Sequence, residues 1–112
     1  MSPPLHQAKA ELFRTLGHPV RVRVLELLQN GPVPVRDLLA EIDVEPSNLS
    51  QQLAVLRRAG LVNSSRDGSL VIYALSTSDV ADLLAAGRRI LSSVLTDRDG
   101  LRDQLRAEEQ AR

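Results

Sequence analysis

The sequence predicts a mainly α-helical fold with one β-hairpin, in the order four helices, hairpin, helix. Three observations predict it. Apolar residues recur at helical spacing from Leu5 to Ala59. That spacing gives way to alternation across Leu61 to Tyr73, split by an Asp-Gly pair between β-prone runs. Helical spacing then resumes from Val80 to Val94.

Leu5, Ala8, Leu12, Phe13 and Leu16 give the first helix its apolar stripe, and Gly17 stops it. His18-Pro19 opens the second helix, since proline suits the first helical position, where no N–H is needed. Val20, Val24, Leu25, Leu27 and Leu28 line its inner face, and Asn30-Gly31-Pro32 ends it. A short third helix is expected over Val33 to Ile42, with Pro34 in its first turn and Leu38, Leu39 and Ile42 facing inward.

Asp43-Val44-Glu45 makes the turn into a fourth helix running from Pro46 to Ala59. Glu45 and Ser47 are both candidate caps. Leu49, Leu53 and Leu56 form the core face. Arg57 and Arg58 occupy the last turn, where cations suit the helix dipole, and Gly60 caps the end. The hairpin places Leu61-Val62 and Leu70-Val71-Ile72-Tyr73 on either side of Arg66-Asp67-Gly68-Ser69. Ser76 with Asp79 resembles a capping box for the long fifth helix, whose stripe is Val80, Leu83, Leu84, Gly87, Ile90, Leu91 and Val94. Residues 97–100 are expected to break that helix. Residues 1–98 then form one domain, and 99–112 a charged tail, partly helical or frayed. Two short helices joined by a tight turn and followed by a two-stranded wing make a winged helix-turn-helix.

Composition bounds the function. The 112 residues suffice for one domain. Hydrophobic residues make up 43% and aromatics only 2%, so the core is aliphatic. A chain this short buries a modest fraction of its surface, and dimerisation through an apolar face would add to its stability. The absence of cysteine removes disulfides, thiolate metal sites, cysteine nucleophiles and thiol redox sensing. The opening MSPPLHQAKAELF has neither a basic start nor a long apolar run, and no stretch approaches the roughly 18 apolar residues of a membrane span. A cytoplasmic protein with no membrane partner is expected. The formal net charge is zero, but residues 47–66 carry Arg57, Arg58 and Arg66 with no acid, next to an acidic run at Asp37, Glu41, Asp43 and Glu45.

The fourth helix carries the functional signal. Ser47, Asn48, Ser50, Gln51 and Gln52 are expected opposite its core face, and such side chains suit base edges in a major groove. Arg57 and Arg58 are candidates for phosphate contacts, and Arg66, beside Gly68 at the wing tip, for phosphate or the minor groove. Double-stranded DNA is the expected partner. Leu5, Ala8 and Leu12 on the first helix, with Leu83, Leu84, Gly87, Ile90, Leu91 and Val94 on the last, exceed what one small winged domain can cover. Pairing across a two-fold axis would bury them and set two recognition helices about one DNA turn apart, on a near-palindromic site. His18 is expected to fix a helix start, and Asp79 and Asp82 to cap and be solvated. No catalytic constellation, metal-ligand set or cofactor motif appears.

The segments FRTLGHPVRVRVLELL, SNLSQQLAVLRRAGLV and RDGSLVIYAL resemble the ArsR/SmtB family of bacterial repressors, over roughly Leu12 to Leu95. The resemblance implies a homodimer built from the first and last helices. It puts the DNA-reading positions on Ser47, Ser50 and Gln51, Val35 close to DNA at the start of the third helix, and Arg66 as the wing contact. Gln51 stands where many members have His, which keeps hydrogen bonding and removes a titratable group. Metal-sensing members carry cysteines on the third helix, or Asp and His on the last. Val33 to Glu41 has no cysteine, and no His follows Asp79 on its helix. A repressor that senses no metal is therefore expected, with release by an unknown small-molecule inducer or control by protein level. The competing reading, motivated by the zero net charge and the acidic run, is a winged-helix module that binds a protein partner and no DNA.

Overall fold

The computed structural model describes residues 3–94 and 99–111. They fall into two compact units, 1–81 and 82–112.

The first unit opens with α1 (Leu5–Leu16) and α2 (Pro19–Leu27). His18 fixes the start of α2 as expected: its Nδ1 accepts the Val20 N–H at 3.2 Å, and Pro19 follows at the first helical position. The next element corrects the sequence reading. Val33–Pro34 is a strand, β1, and the third helix, α3, starts two residues later than expected and covers Val35–Glu41. β1 runs antiparallel to β3 (Leu70–Leu75), with Val33 opposite Tyr73 and Pro34 opposite Ile72. Proline is tolerated there because β1 is an edge strand, where a missing N–H leaves no gap in a ladder.

After the turn comes α4 (Pro46–Arg58), then the hairpin of β2 (Val62–Asp67) and β3. The three-stranded sheet has the order β1-β3-β2. The β2–β3 register runs from Val62 opposite Leu75 to Asp67 opposite Leu70, which leaves Gly68-Ser69 as a two-residue loop. Gly68 has φ of +62°, and among the described residues only glycines have positive φ, the pattern of a turn with glycine first.

The core of this unit is aliphatic, as the composition demands. Val24, Leu25, Leu38, Leu49 and Leu56 are fully buried, with Leu28, Leu53 and Val62 almost so. Ile42, Leu61, Tyr73, the only tyrosine, and Val80 join it. α5 (Asp79–Val94) begins here. Its cap is Thr77 rather than Ser76: the Thr77 hydroxyl accepts the Asp79 N–H and donates to the Asp79 carboxylate, both at 3.2 Å. Ser76 instead donates to the Gly60 carbonyl at 2.6 Å, tying the end of β3 to the turn after α4.

In the second unit α5 continues, and α6 (Asp99–Ala111) follows. The expected break at 97–100 lies partly outside the described residues. The charged tail is a helix and not a frayed end. Arg88 on α5 forms a two-pronged ion pair with Glu108 on α6, at 2.9 and 3.1 Å.

Candidate nucleic-acid interface

α4 is built to keep one side dry and one side wet. Pro46 starts it, and Glu45 precedes it without a side-chain capping bond, so neither of the expected caps acts as one. Leu49, Leu53 and Leu56 sink into the core. Ser47, Ser50 and Gln51 are exposed. Their spacing of three and four residues puts them on one face of the helix. Arg58 lies eleven residues beyond Ser47 on the same line, and Arg57 seven beyond Ser50; both are exposed. The outer face thus offers short polar side chains near its N-terminus and cations at its C-terminus.

Gln52 departs from the sequence reading. Expected among the groove-facing residues, it is 9% exposed and lies on the inner side of α4. Its amide is satisfied inside the protein: Oε1 accepts from Arg21 Nε at 2.8 Å, and Nε2 donates to Asn48 Oδ1 at 2.9 Å. A buried amide with both ends bonded has no reason to turn outward. Asn48 is half-buried beside it. The sequence reading missed Arg21, which also donates from Nη1 to the Thr15 carbonyl at 3.1 Å and so joins the end of α1 to α4.

The hairpin projects its own basic group. Residues 63–69 are exposed, and Arg66 stands opposite Val71, one rung behind the pair that closes the turn. Val35 is half-buried at the first position of α3.

α1 and α5 each show apolar side chains to solvent. On α1, Leu5 is 69% and Phe13 56% exposed, with Ala8 exposed and Leu12 half-buried. Phe13, read from sequence only as part of the stripe, is the chain's sole phenylalanine. On α5, Ile90, Leu91 and Val94 are exposed, and Leu83, Leu84 and Gly87 half-buried.

Among the described residues, no group of three His, Cys, Asp or Glu side chains is placed to hold a metal ion, and no helix is long and apolar enough to cross a membrane.

A helix with a polar outer face, a preceding helix and turn, and a basic two-stranded wing is the arrangement other proteins share with this one. Residues 18–64 match the family described as "Bacterial regulatory protein, arsR family". The HTH-type transcriptional regulator Rv0081 of Mycobacterium tuberculosis is 50% identical over 107 residues, covering 95% of this chain and 94% of its own. The chain belongs to the ArsR family. It is a DNA-binding transcriptional regulator with a winged helix-turn-helix fold, and not an enzyme. The crystal structure of Rv0081 superimposes with a TM-score of 0.79 at 52% identity, over 87% of this chain and 98% of that one. The repressor BigR of Xylella fastidiosa gives 0.69 at 34% identity, over 80% and 87%. The homodimeric winged helix-turn-helix domain of Mb0332 from Mycobacterium bovis gives 0.72 at 26% identity, over 81% and 84%.

Proposed function

We infer that this ArsR-family regulator is a cytoplasmic homodimeric repressor that reads a near-palindromic operator. α4 enters the major groove with Ser47, Ser50 and Gln51 toward base edges. The wing lays Arg66 on the flanking backbone or minor groove, with Gly68 giving its turn, and Val35 sits close to the DNA. The observation that carries this reading is the exposed Ser47–Ser50–Gln51 face, which α4 keeps clear of the core while burying Leu49, Leu53 and Leu56. Short hydroxyl and amide side chains there match the donor and acceptor groups of a major groove. The similarity to BigR, a transcriptional repressor, supports the direction of regulation. The similarity to the homodimeric domain of Mb0332 supports the assembly, together with the exposed apolar residues of α1 and α5.

The same reading gives release from DNA to an unknown small-molecule inducer or to the level of the protein rather than to a metal, since the chain has no cysteine to supply a thiolate ligand.

The test is titration of the full chain against labelled DNA from its own promoter region. Binding should be sequence-specific at moderate salt and fall steeply as salt rises, because phosphate contacts release counterions. Binding with no sequence preference would refute the reading. It would favour the protein-binding alternative if changing Arg57 and Arg66 together to Ala left regulation intact.

A further inference from the structure

The bonds around Gln52 run in one direction, and their direction matters. Arg21 is a donor only, because a guanidinium has five N–H groups and no acceptor. It donates Nη1 to the Thr15 carbonyl and Nε to Gln52 Oε1. Gln52 is buried. Turning its amide over would set an NH2 against the Arg21 N–H, two donors face to face, with the cost of unsatisfied buried polar groups. Its oxygen is therefore held toward Arg21 and its Nε2 toward Asn48. Asn48 must then offer Oδ1 inward, as it does at 2.9 Å. The amide nitrogen of Asn48, with its two N–H groups, is left on the side away from Gln52, at the flank of the Ser47–Gln51 face.

We propose that Arg21, acting through Gln52, fixes Asn48 as a hydrogen-bond donor to DNA and thereby sets the base it accepts. This rests on the reading of α4 as the recognition helix. A freely turning asparagine pairs with adenine through both ends of its amide, accepting from N6 while donating to N7. With Oδ1 turned inward to Gln52, it is the amide N–H donors of Asn48 that are left to face the DNA. Its favoured partners are guanine, with O6 and N7, and thymine, with O4; the exocyclic amines of adenine and cytosine oppose it. Arg21 and Gln52 touch no DNA in this scheme and are positioning residues. The ordered polarity connects the end of α1, α2 and the recognition helix in one chain of bonds.

The experiment is selection of bound DNA from a randomised pool by the full-length protein and two variants. Gln52→Glu replaces the amide by two acceptor oxygens. One still accepts from Arg21, and the other demands the Asn48 N–H groups, which turns Oδ1 toward the DNA. Asn48→Asp keeps an oxygen for Gln52 and shows a second oxygen outward, with no change in the core. Wild type is expected to prefer guanine or thymine at one position of each half-site. Both variants should move that same position to adenine or cytosine, on the order of tenfold, and leave the other positions unaltered. A thermal melt of each variant confirms that it folds. Identical preferences in all three proteins overturn the proposal, whatever happens to affinity. A shift with Asn48→Asp alone also overturns it, since Asn48 would then meet a base without Arg21 and Gln52 setting its direction. Failure of wild type to enrich any sequence instead removes the recognition-helix reading itself.

Discussion

At the scale of single residues, the wing makes the simplest prediction. Arg66 is exposed on β2, one rung from the turn, in a strand whose exposed residues 63–65 are otherwise Asn and Ser. A lone cation there acts through charge and not through packing, so Arg66→Ala should leave stability within about 0.5 kcal/mol. Affinity should fall for specific and non-specific DNA alike, and the salt slope should drop by about 1. Fluorescence anisotropy at several salt concentrations, against operator and scrambled DNA, measures both. An unchanged slope would place the wing away from the phosphates. Gln52 teaches the opposite lesson about single residues. Its composition looks groove-facing, and the neighbouring Gln51 does face out. Helical phase puts Gln52 inward, three residues after Leu49 and four before Leu56, and Arg21, 31 residues away in the chain, satisfies its buried amide. The outward placing of Ser47, Ser50 and Gln51 was legible in the sequence; the inward placing of Gln52 was legible in its spacing from Leu49 and Leu56 but masked by its polar side chain, and the bond to Arg21 on another helix was not legible at all.

At the scale of elements, legibility followed the reach of the forces involved. α1, α2 and α4 came out close to their expected bounds because each carries apolar residues at helical spacing, buried in α2 and α4 and largely open on α1, and each start or stop is marked by Pro or Gly. The hairpin was legible for the same reason. Gly68 at φ +62° is the residue its turn requires, and an added Cβ would meet nothing within 4 Å, so only backbone strain opposes a side chain there. Gly68→Ala should therefore destabilise the protein by about 1–2 kcal/mol, read from urea unfolding, and should loosen the wing enough to weaken operator binding more than Arg66→Ala does. A loss of stability with DNA affinity intact would show that the wing contributes only to folding. β1 was not legible. A two-residue strand has no periodicity of its own, and Val33–Pro34 is extended only because Tyr73 and Ile72, some forty residues on, supply its partner. The sequence of α6 is mostly charged and leaves open whether it is partly helical or frayed. Its partner is the Arg88 side chain of α5, and short helices gain most of their stability from such tertiary contacts.

At the scale of the whole molecule, the question is what covers the apolar residues of α1 and α5. Ile90 at 61%, Val94 at 71% and Leu5 at 69% are larger exposures than a solitary small protein needs, and they repeat along two helices instead of being scattered. Scattered exposed apolar residues require no explanation, but a row of them along one helix, as at Ile90, Leu91 and Val94, is a candidate interface. On the proposed function a second copy of the chain is the occupant, since two recognition helices bound as one unit would gain effective concentration at the second half-site. If α5 forms the proposed dimer interface, Ile90→Glu should give a monomer by analytical ultracentrifugation at micromolar concentration, where wild type is expected to be a dimer. Because Ile90 is exposed within one protomer, any fall in melting temperature should trace to lost dimerisation, shown by the wild-type transition rising with protein concentration and the variant's staying constant. Operator affinity should drop by at least a hundredfold, toward that of a single half-site, and the two half-sites should bind independently. A variant that remained dimeric with full affinity would move the interface off α5 and leave Leu5, Phe13 and their neighbours on α1 as the surface to change next.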